Sequence, residues 1–225
     1  MRRLHIALVF SAILLVVAGG VGWKVWNGRT DHTPVNLSAS QTTDAIRQHG
    51  ENLFRNPHDP VRGNPNGDVT LVEFFDYRCT YCKMVHPIVM ELLRIDPNIR
   101  YVAKEYPVLG PVSVLAAQAA LSSQTQGKYG MYNDALMMAR NLDENVIFEI
   151  AESVGLDPLR LLDDIDARED DINDAIDGTI ELGRKLGLQG TPAFIAGERL
   201  ILGATSRANL EQLIADARAL NAERR

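Results

Sequence analysis

The chain contains only two cysteines, Cys79 and Cys82, and they lie three positions apart. Residues 69–75 before them are rich in strand formers, and residues 84–93 after them have the apolar spacing of a helix. This context places both sulfurs on the first turn of a helix, where they can form a disulfide or open it again. A structural disulfide or two buried thiols are the alternatives, but so short a disulfide loop contributes little stability through chain entropy. The spacing therefore predicts a redox-active pair.

We expect the two cysteines to have different roles. Cys79 lies at the predicted helix start, where free backbone N–H groups and the helix dipole favour a thiolate. A thiolate is the nucleophile of disulfide exchange, and a low thiol pKa also makes the sulfur a better leaving group. Cys82, one turn inside the helix, is expected to be more buried and to resolve the mixed disulfide. Because Thr80 and Tyr81 carry no positive charge, the fall in the Cys79 pKa should be moderate.

Glu73 lies within the apolar strand, six residues before Cys79. A buried carboxylate is costly unless it has a partner or takes up a proton. Lys104, at the end of the second predicted strand, is the cation that the sequence offers as this partner. We therefore expect Glu73, with Lys104, to relay a proton to or from Cys82. A carboxylate at a strand edge facing water is the alternative.

The order of the predicted elements indicates a mixed α/β fold. A second strand is predicted over 99–103, and residues 111–186 have helical patterns. Two short strands joined by a Gly-Glu turn are predicted within 193–202, and a final amphipathic helix over 206–220. A βαβ half and a ββα half can share one sheet while the helical block is inserted between them in sequence.

The N-terminal segment bears on where the protein works. Arg2 and Arg3 precede an uncharged, mostly apolar stretch, residues 4–22. Two alternatives stay open: a cleaved signal peptide, because small residues follow the apolar run, or an uncleaved anchor, because the length and the following tryptophans suit a bilayer. Both predict a periplasmic or other extracytoplasmic protein, membrane-anchored or secreted, in an oxidising compartment where the pair can be held as a disulfide.

A threonine-proline pair, Thr191-Pro192, directly precedes the first strand of the hairpin. With this pair, the Cys-x-x-Cys motif and the helical insertion, the chain resembles the DsbA family of exported thiol-disulfide oxidoreductases over about residues 60–220. The resemblance implies a thioredoxin fold in which Pro192 is cis and packs beside the disulfide. It also implies that Thr191 offers backbone hydrogen bonds to a substrate peptide.

The same resemblance implies that Cys79 is the attacking cysteine, Cys82 the resolving cysteine and Glu73 the buried acid. The DsbA oxidase itself has Pro-His between its cysteines and valine before the cis proline. The Thr-Tyr pair and Thr191 are instead similar to the isomerase and copper-stress branches, and residues 62–69 resemble the ScsC-like proteins. Oxidase and isomerase or reductase activity both stay open.

These patterns divide the chain into three predicted parts. Residues 1–23 are the signal peptide or membrane anchor, and residues 24–60 are a linker with a short helix. Residues 61–225 form the DsbA-like thioredoxin domain, with its all-helical insertion over about 107–187. The proline- and glycine-rich residues 55–68 are predicted to be loop.

The expected chemistry needs no metal and no organic cofactor. The alternative is a periplasmic protein that binds Cu(I) through the same two thiolates. The net charge of -6 argues against a nucleic-acid partner, because the phosphate backbone is also negative. The expected partners are exported protein substrates that contain cysteines and a membrane redox partner that resets the pair. A membrane tether through residues 4–22 is also expected.

Overall fold

A computed structural model of the protein describes residues 36–224. Their strands are β1 (Val61–Gly63), β2 (Val69–Phe75), β3 (Ile99–Glu105), β4 (Ala193–Ala196) and β5 (Arg199–Leu202). They form one sheet in the order β1-β3-β2-β4-β5. β2 and β3 are parallel, and the other neighbouring pairs are antiparallel. The predicted union of a βαβ half with a ββα half in one sheet is confirmed.

The helices flank this sheet and form the predicted insertion. Two short helices, α1 (Ala39–Gln48) and α2 (Gly50–Phe54), precede β1, and α3 (Thr80–Ile95) connects β2 to β3. The final helix, α9 (Arg207–Glu223), follows β5. Between β3 and β4 lie α4 (Pro111–Ser122), a short 3-10 helix (Ser123–Gln126), α5 (Tyr129–Met138), α6 (Glu144–Ser153), α7 (Pro158–Ala167) and α8 (Glu169–Lys185). The mixed α/β fold with an all-helical insertion is therefore confirmed.

One face of the sheet is covered by α1, α2 and the end of α8. The buried side chains of Ile46 and Leu53 join a core cluster with Val72 and Phe74 of β2. Ser38 caps α1. Its side-chain oxygen accepts a hydrogen bond from the Gln41 N–H, and its own N–H donates to the side-chain oxygen of Gln41. The short helical region before β1 thus packs directly on the sheet.

The edge strand β1 corrects the prediction of a continuous loop over residues 55–68. Val61 pairs with Val102 of β3 in antiparallel register. Three residues are too few to show an alternating pattern, and the nearby glycines resemble loop residues. Gly63 has a φ of 69°, and a Cβ there would lie 2.6 Å from the Ile99 carbonyl oxygen. Gly63 therefore allows two strands to approach closely. A glycine of this kind cannot be distinguished from a turn glycine by sequence alone.

The predicted signal peptide or anchor, residues 4–22, lies outside the described residues. Among the helices of residues 36–224, none has the length and apolar content required to cross a membrane. The proposed division at residues 23 and 60 stays a prediction.

Candidate active site

Cys79 is the N-cap residue of α3, and Cys82 lies in the first turn of that helix. Both thiols are free, so the structure shows the dithiol form. The Cys82 N–H donates to Cys79 Sγ over 3.4 Å. Cys79 retains slight exposure, whereas Cys82 is completely buried. The expected placement of an outer and an inner cysteine at the helix start is what the structure shows.

The surroundings of the two sulfurs separate their acidities. The pKa of Cys79 is lowered from 9.0 to about 6, first by a hydrogen bond from the Cys82 side chain, against the opposing effect of burial. The Thr191 side chain and the backbone N–H groups of Cys82 and Tyr81 contribute further to this lowering. Burial raises the pKa of Cys82 far above its usual range, and the hydrogen bond with Cys79 and the charge of Glu73 add to the increase. Only Cys79 is therefore ionised near neutral pH.

The loop before β4 brings Thr191 and Pro192 next to Cys79, although they are more than a hundred residues away in sequence. In its protonated form, the Cys79 thiol donates to the Thr191 carbonyl oxygen, with Sγ and O 3.3 Å apart. The Thr191–Pro192 peptide bond is cis, and Pro192 is buried. Half-buried Thr191 presents backbone groups beside the acidic sulfur, an arrangement that fits an extended peptide segment.

Glu73 is fully buried, and its charge interacts with both cysteines. Its Oε2 accepts a hydrogen bond of 2.8 Å from the Tyr101 hydroxyl, and its Oε1 has no hydrogen-bond partner. Burial raises the pKa of Glu73 from 4.5 to about 8, while the Tyr101 hydrogen bond and the positive charge of Arg62 lower it. Glu73 therefore carries a proton at neutral pH while its unpaired oxygen remains available to a further group.

Lys104 is not the partner of Glu73, and that part of the relay prediction is wrong. Its ammonium group forms a buried ion pair with Asp59 and donates to the Asn52 carbonyl oxygen over 2.6 Å. In the sheet, Glu73 is opposite Ala103 and Phe74 is opposite Lys104. Because side chains alternate along a strand, the Lys104 and Glu73 side chains lie on opposite faces of the sheet. Lys104 instead holds the C-terminal end of α2 and the following loop.

Asp76 is a residue of the site that the sequence analysis did not select. One carboxylate oxygen accepts from the Arg78 N–H and the Ser113 hydroxyl, each over 2.8 Å, and the other accepts from the Leu109 N–H over 2.9 Å. Asp76 thereby attaches the turn before Cys79 to the start of the helical insertion. An aspartate two residues before a backbone donor is a recognisable turn signal, but its contacts with residues 109 and 113 require the fold.

Exposed apolar side chains lie in and beside the motif. Tyr81, between the cysteines, is 60% exposed, and Met84, on the next turn of α3, is 62% exposed. Leu109 is 45% exposed, and its carbonyl oxygen accepts from the Arg78 guanidinium over 3.0 Å, next to the motif. These side chains form exposed apolar surface in and beside the motif. In the described part of the chain, no group of three or more His, Cys, Asp or Glu side chains is arranged to hold a metal ion.

Residues 55–216 match the model of a thioredoxin family. The chain belongs to this family. Among solved structures of thioredoxin-like proteins, an oxidoreductase from Silicibacter pomeroyi DSS-3 is 40% identical, with a TM-score of 0.73, covering 75% of this chain and 97% of the other. The catalytic domain of Proteus mirabilis ScsC is 28% identical, with a TM-score of 0.72, covering 79% and 98%. A periplasmic thioredoxin-like protein from Salmonella enterica serovar Typhimurium is 31% identical, with a TM-score of 0.68, covering 76% and 97%. The resemblance to ScsC-like members of the DsbA family is confirmed.

The chain also matches segments of much longer proteins. A Na(+)/H(+) antiporter, NhaA 1 of Salinispora arenicola, is 32% identical over 144 residues, which is 63% of this chain and 22% of the antiporter. The corresponding antiporter of Mycolicibacterium gilvum is 22% identical over 87% of this chain and 31% of its own length. The chain thus spans about a quarter of the curated relatives that it matches.

Proposed function

We propose that this protein is an exported thiol-disulfide oxidoreductase that exchanges disulfides with protein substrates through Cys79 and Cys82. The observation that carries the proposal is the difference in acidity between two thiols of one helical turn. Cys79 has a pKa of about 6 and slight exposure, whereas Cys82 is buried with a strongly raised pKa. This is the combination that a nucleophile and a resolving thiol require.

In the oxidising direction, a substrate thiolate attacks Cys79 of the Cys79–Cys82 disulfide. The substrate–Cys79 bond forms, the Cys79–Cys82 bond breaks, and the electron pair leaves on Cys82 as a thiolate. A second substrate thiolate then attacks the substrate sulfur of the mixed disulfide. Cys79 leaves as a thiolate, and the substrate gains a disulfide. In the reverse direction, the Cys79 thiolate attacks a substrate disulfide, and Cys82 releases the reduced product.

Glu73 is proposed to move the proton that this cycle requires. A thiolate on fully buried Cys82 is unfavourable, so it must be protonated when the disulfide opens. Glu73 carries a proton at neutral pH, and its unpaired Oε1 is available to transfer it. In the reverse reaction, the ionised carboxylate accepts the proton of Cys82 as that thiol becomes a nucleophile.

Substrates are proposed to be exported proteins that contain cysteines. An extended segment of such a protein would hydrogen-bond the backbone at Thr191, beside Pro192, and pack on the exposed side chains of Tyr81 and Met84. A membrane redox partner would restore the working oxidation state, and residues 4–22 would direct or tether the protein outside the cytoplasm. The periplasmic relative from Salmonella supports this compartment.

The test is to trap the mixed disulfide. The substitution Cys82→Ala leaves Cys79 without its resolving thiol, so disulfide-linked substrate adducts should accumulate and disappear on reduction. The matched control is Cys79→Ala, which should form none because the remaining thiol is buried and not ionised. Absence of adducts with Cys82→Ala would contradict the proposal. Stoichiometric uptake of Cu(I) together with negligible disulfide exchange would favour the copper-binding alternative.

A further inference from the structure

A second buried carboxylate, Glu105, lies at the end of β3 and belongs to a hydrogen-bonded cluster separate from Glu73. Its Oε1 accepts from the hydroxyl of Tyr77 over 2.7 Å and from the hydroxyl of Tyr129 over 2.8 Å. The amide nitrogen of Asn133 donates to the Tyr77 hydroxyl over 2.9 Å. All four side chains are buried. We refer to Tyr77, Glu105, Tyr129 and Asn133 as the Glu105 cluster.

The Glu105 cluster connects the helical insertion to the residues that lead into the Cys-x-x-Cys motif. Tyr129 and Asn133 lie on α5 of the insertion, whereas Tyr77 lies two residues before Cys79. The Tyr77 hydroxyl accepts one hydrogen bond and donates another, so its position is fixed from two sides. The cluster therefore anchors the turn before Cys79 to both β3 and α5.

A neighbouring contact attaches the other side of the motif to the same helix. Asp134, next to Asn133 on α5, accepts from His86 Nε2 over 2.8 Å, and His86 lies on α3 four residues after Cys82. Arg62 donates to both Asn133 and Asp134, over 2.8 Å and 2.7 Å. The helix α5 therefore contacts residues on both sides of the two cysteines.

The surroundings of Glu105 determine its protonation state, and this state decides which substitution preserves its hydrogen bonds. Burial raises the pKa of Glu105 from 4.5 to about 8, the hydroxyls of Tyr77 and Tyr129 lower it, and the nearby charge of Asp76 raises it. Arg62 contributes positive charge near Tyr129. At neutral pH the carboxyl group is therefore protonated. A glutamine has the same shape and keeps a carbonyl oxygen that accepts both hydroxyls, whereas a leucine cannot accept either.

We propose that Glu105 is a positioning residue for disulfide exchange, acting through Tyr77 to hold Cys79 at the helix start. This inference rests on the proposed function and adds a residue to it. The thiolate of Cys79 depends on donors of the following turn, among them the Cys82 N–H, which lies 3.4 Å from Sγ. Hydrogen bonds weaken steeply with distance and angle. A small displacement of the turn before Cys79 therefore reduces stabilisation of the thiolate.

The test measures the rate at which Cys79 is alkylated at pH 6, together with the midpoint of its pH profile. The wild-type midpoint is expected near the Cys79 pKa of about 6. For Tyr77→Phe and Glu105→Leu, a midpoint higher by about one unit reduces the thiolate fraction at pH 6 from about a half to about a tenth, a roughly fivefold slower reaction. Glu105→Gln should restore the wild-type rate. Tyr132→Phe is the matched control, because this buried hydroxyl on α5 donates only to the Ile147 carbonyl oxygen.

The outcomes separate this inference from the proposed function. A slower reaction of Tyr77→Phe, with Glu105→Gln and Tyr132→Phe like the wild type, supports a positioning role. The inference is overturned if Tyr77→Phe keeps the wild-type midpoint, or if Tyr132→Phe is slowed equally. If Glu105→Leu does not fold, Tyr77→Phe still tests the inference, because it removes the hydroxyl through which Glu105 would act. A wild-type Cys79 with an ordinary thiol midpoint would instead contradict the proposed function itself.

Discussion

The substitution Glu73→Gln is expected to change how the stability of the reduced protein depends on pH. In the folded protein, burial raises the pKa of Glu73 from 4.5 to about 8. Between these values the folded state holds a proton that the unfolded state has lost. The stability associated with this group is therefore fully present below about pH 4.5 and decreases as the pH rises towards 8, by about 1.4 kcal/mol per pH unit.

Glutamine does not titrate, and its carbonyl oxygen can accept the hydrogen bond from Tyr101 that Glu73 accepts in the wild type. The unfolding free energy of Glu73→Gln, relative to that of the wild type, should therefore increase by about 2.5 kcal/mol from pH 5 to pH 7. The fully buried position of Glu73 means that solvent screening reduces this figure little. Contributions of titrating groups that do not interact with Glu73 are common to both proteins and cancel in the difference.

The assay is urea unfolding of the reduced wild type and variant at pH 5, 6, 7 and 8. The control is Glu181→Gln, because Glu181 is on the surface and its pKa is lowered to about 2 by Arg184, so its titration lies below this range. Its difference from the wild type should be constant with pH. Parallel stability curves for Glu73→Gln and the wild type from pH 5 to 8 would refute a raised pKa at Glu73.

Three further outcomes are expected. The alkylation rate of the reduced protein should rise with a midpoint near pH 6 and reflect Cys79 alone, because Cys82 is buried; two equally reactive thiols in a mass-spectrometric time course would contradict the assigned roles. The reduction potential of the pair, measured in glutathione buffers, should lie between about -270 mV for thioredoxin and about -120 mV for DsbA. A stabilised thiolate favours the reduced form, and the Cys79 pKa of about 6 lies between the thiol pKa values of thioredoxin, about 7, and DsbA, about 3.5. Lys104→Met should destabilise the protein by roughly 3–5 kcal/mol, since buried Asp59 loses its counter-ion. It should leave the pH profile of Cys79 alkylation unchanged, and a shifted profile would show that Lys104 does act on the cysteines.

The sequence identified those parts of the site that depend on local order along the chain. Cys79 and Cys82 follow a strand and begin a helix, and both features are visible as patterns within about twenty residues. The threonine and proline before β4 are recognisable because a proline is tolerated at the start of a strand. Their proximity to Cys79 came from the family resemblance, since no periodicity links residues that far apart.

The partner of Glu73 could not be predicted, because it depends on the register of two parallel strands. The sequence shows a lysine and a glutamate in neighbouring buried strands, and their opposite charges favour a pair. The register places Ala103, not Lys104, opposite Glu73, and a shift of one residue would reverse the face of every side chain. Tyr101, which does contact Glu73, has the correct parity in β3, but this is recognisable only once the register is known.

Glu73 and Glu105 lie on the same face of the sheet, since Glu73 and Phe75 share a face and Phe75 is opposite Glu105. Both carboxyl groups are buried, and their raised pKa values mean that each lowers the stability of the fold as the pH rises towards 8. Their hydrogen bonds differ: Glu73 has one oxygen without a partner, whereas one oxygen of Glu105 accepts from two tyrosines. An oxygen without a hydrogen-bond partner can exchange a proton with a thiol. An oxygen that accepts two hydrogen bonds is suited to hold its two donors in place. These differences fit the two proposed roles, in which Glu73 moves a proton and Glu105 maintains the position of the attacking sulfur.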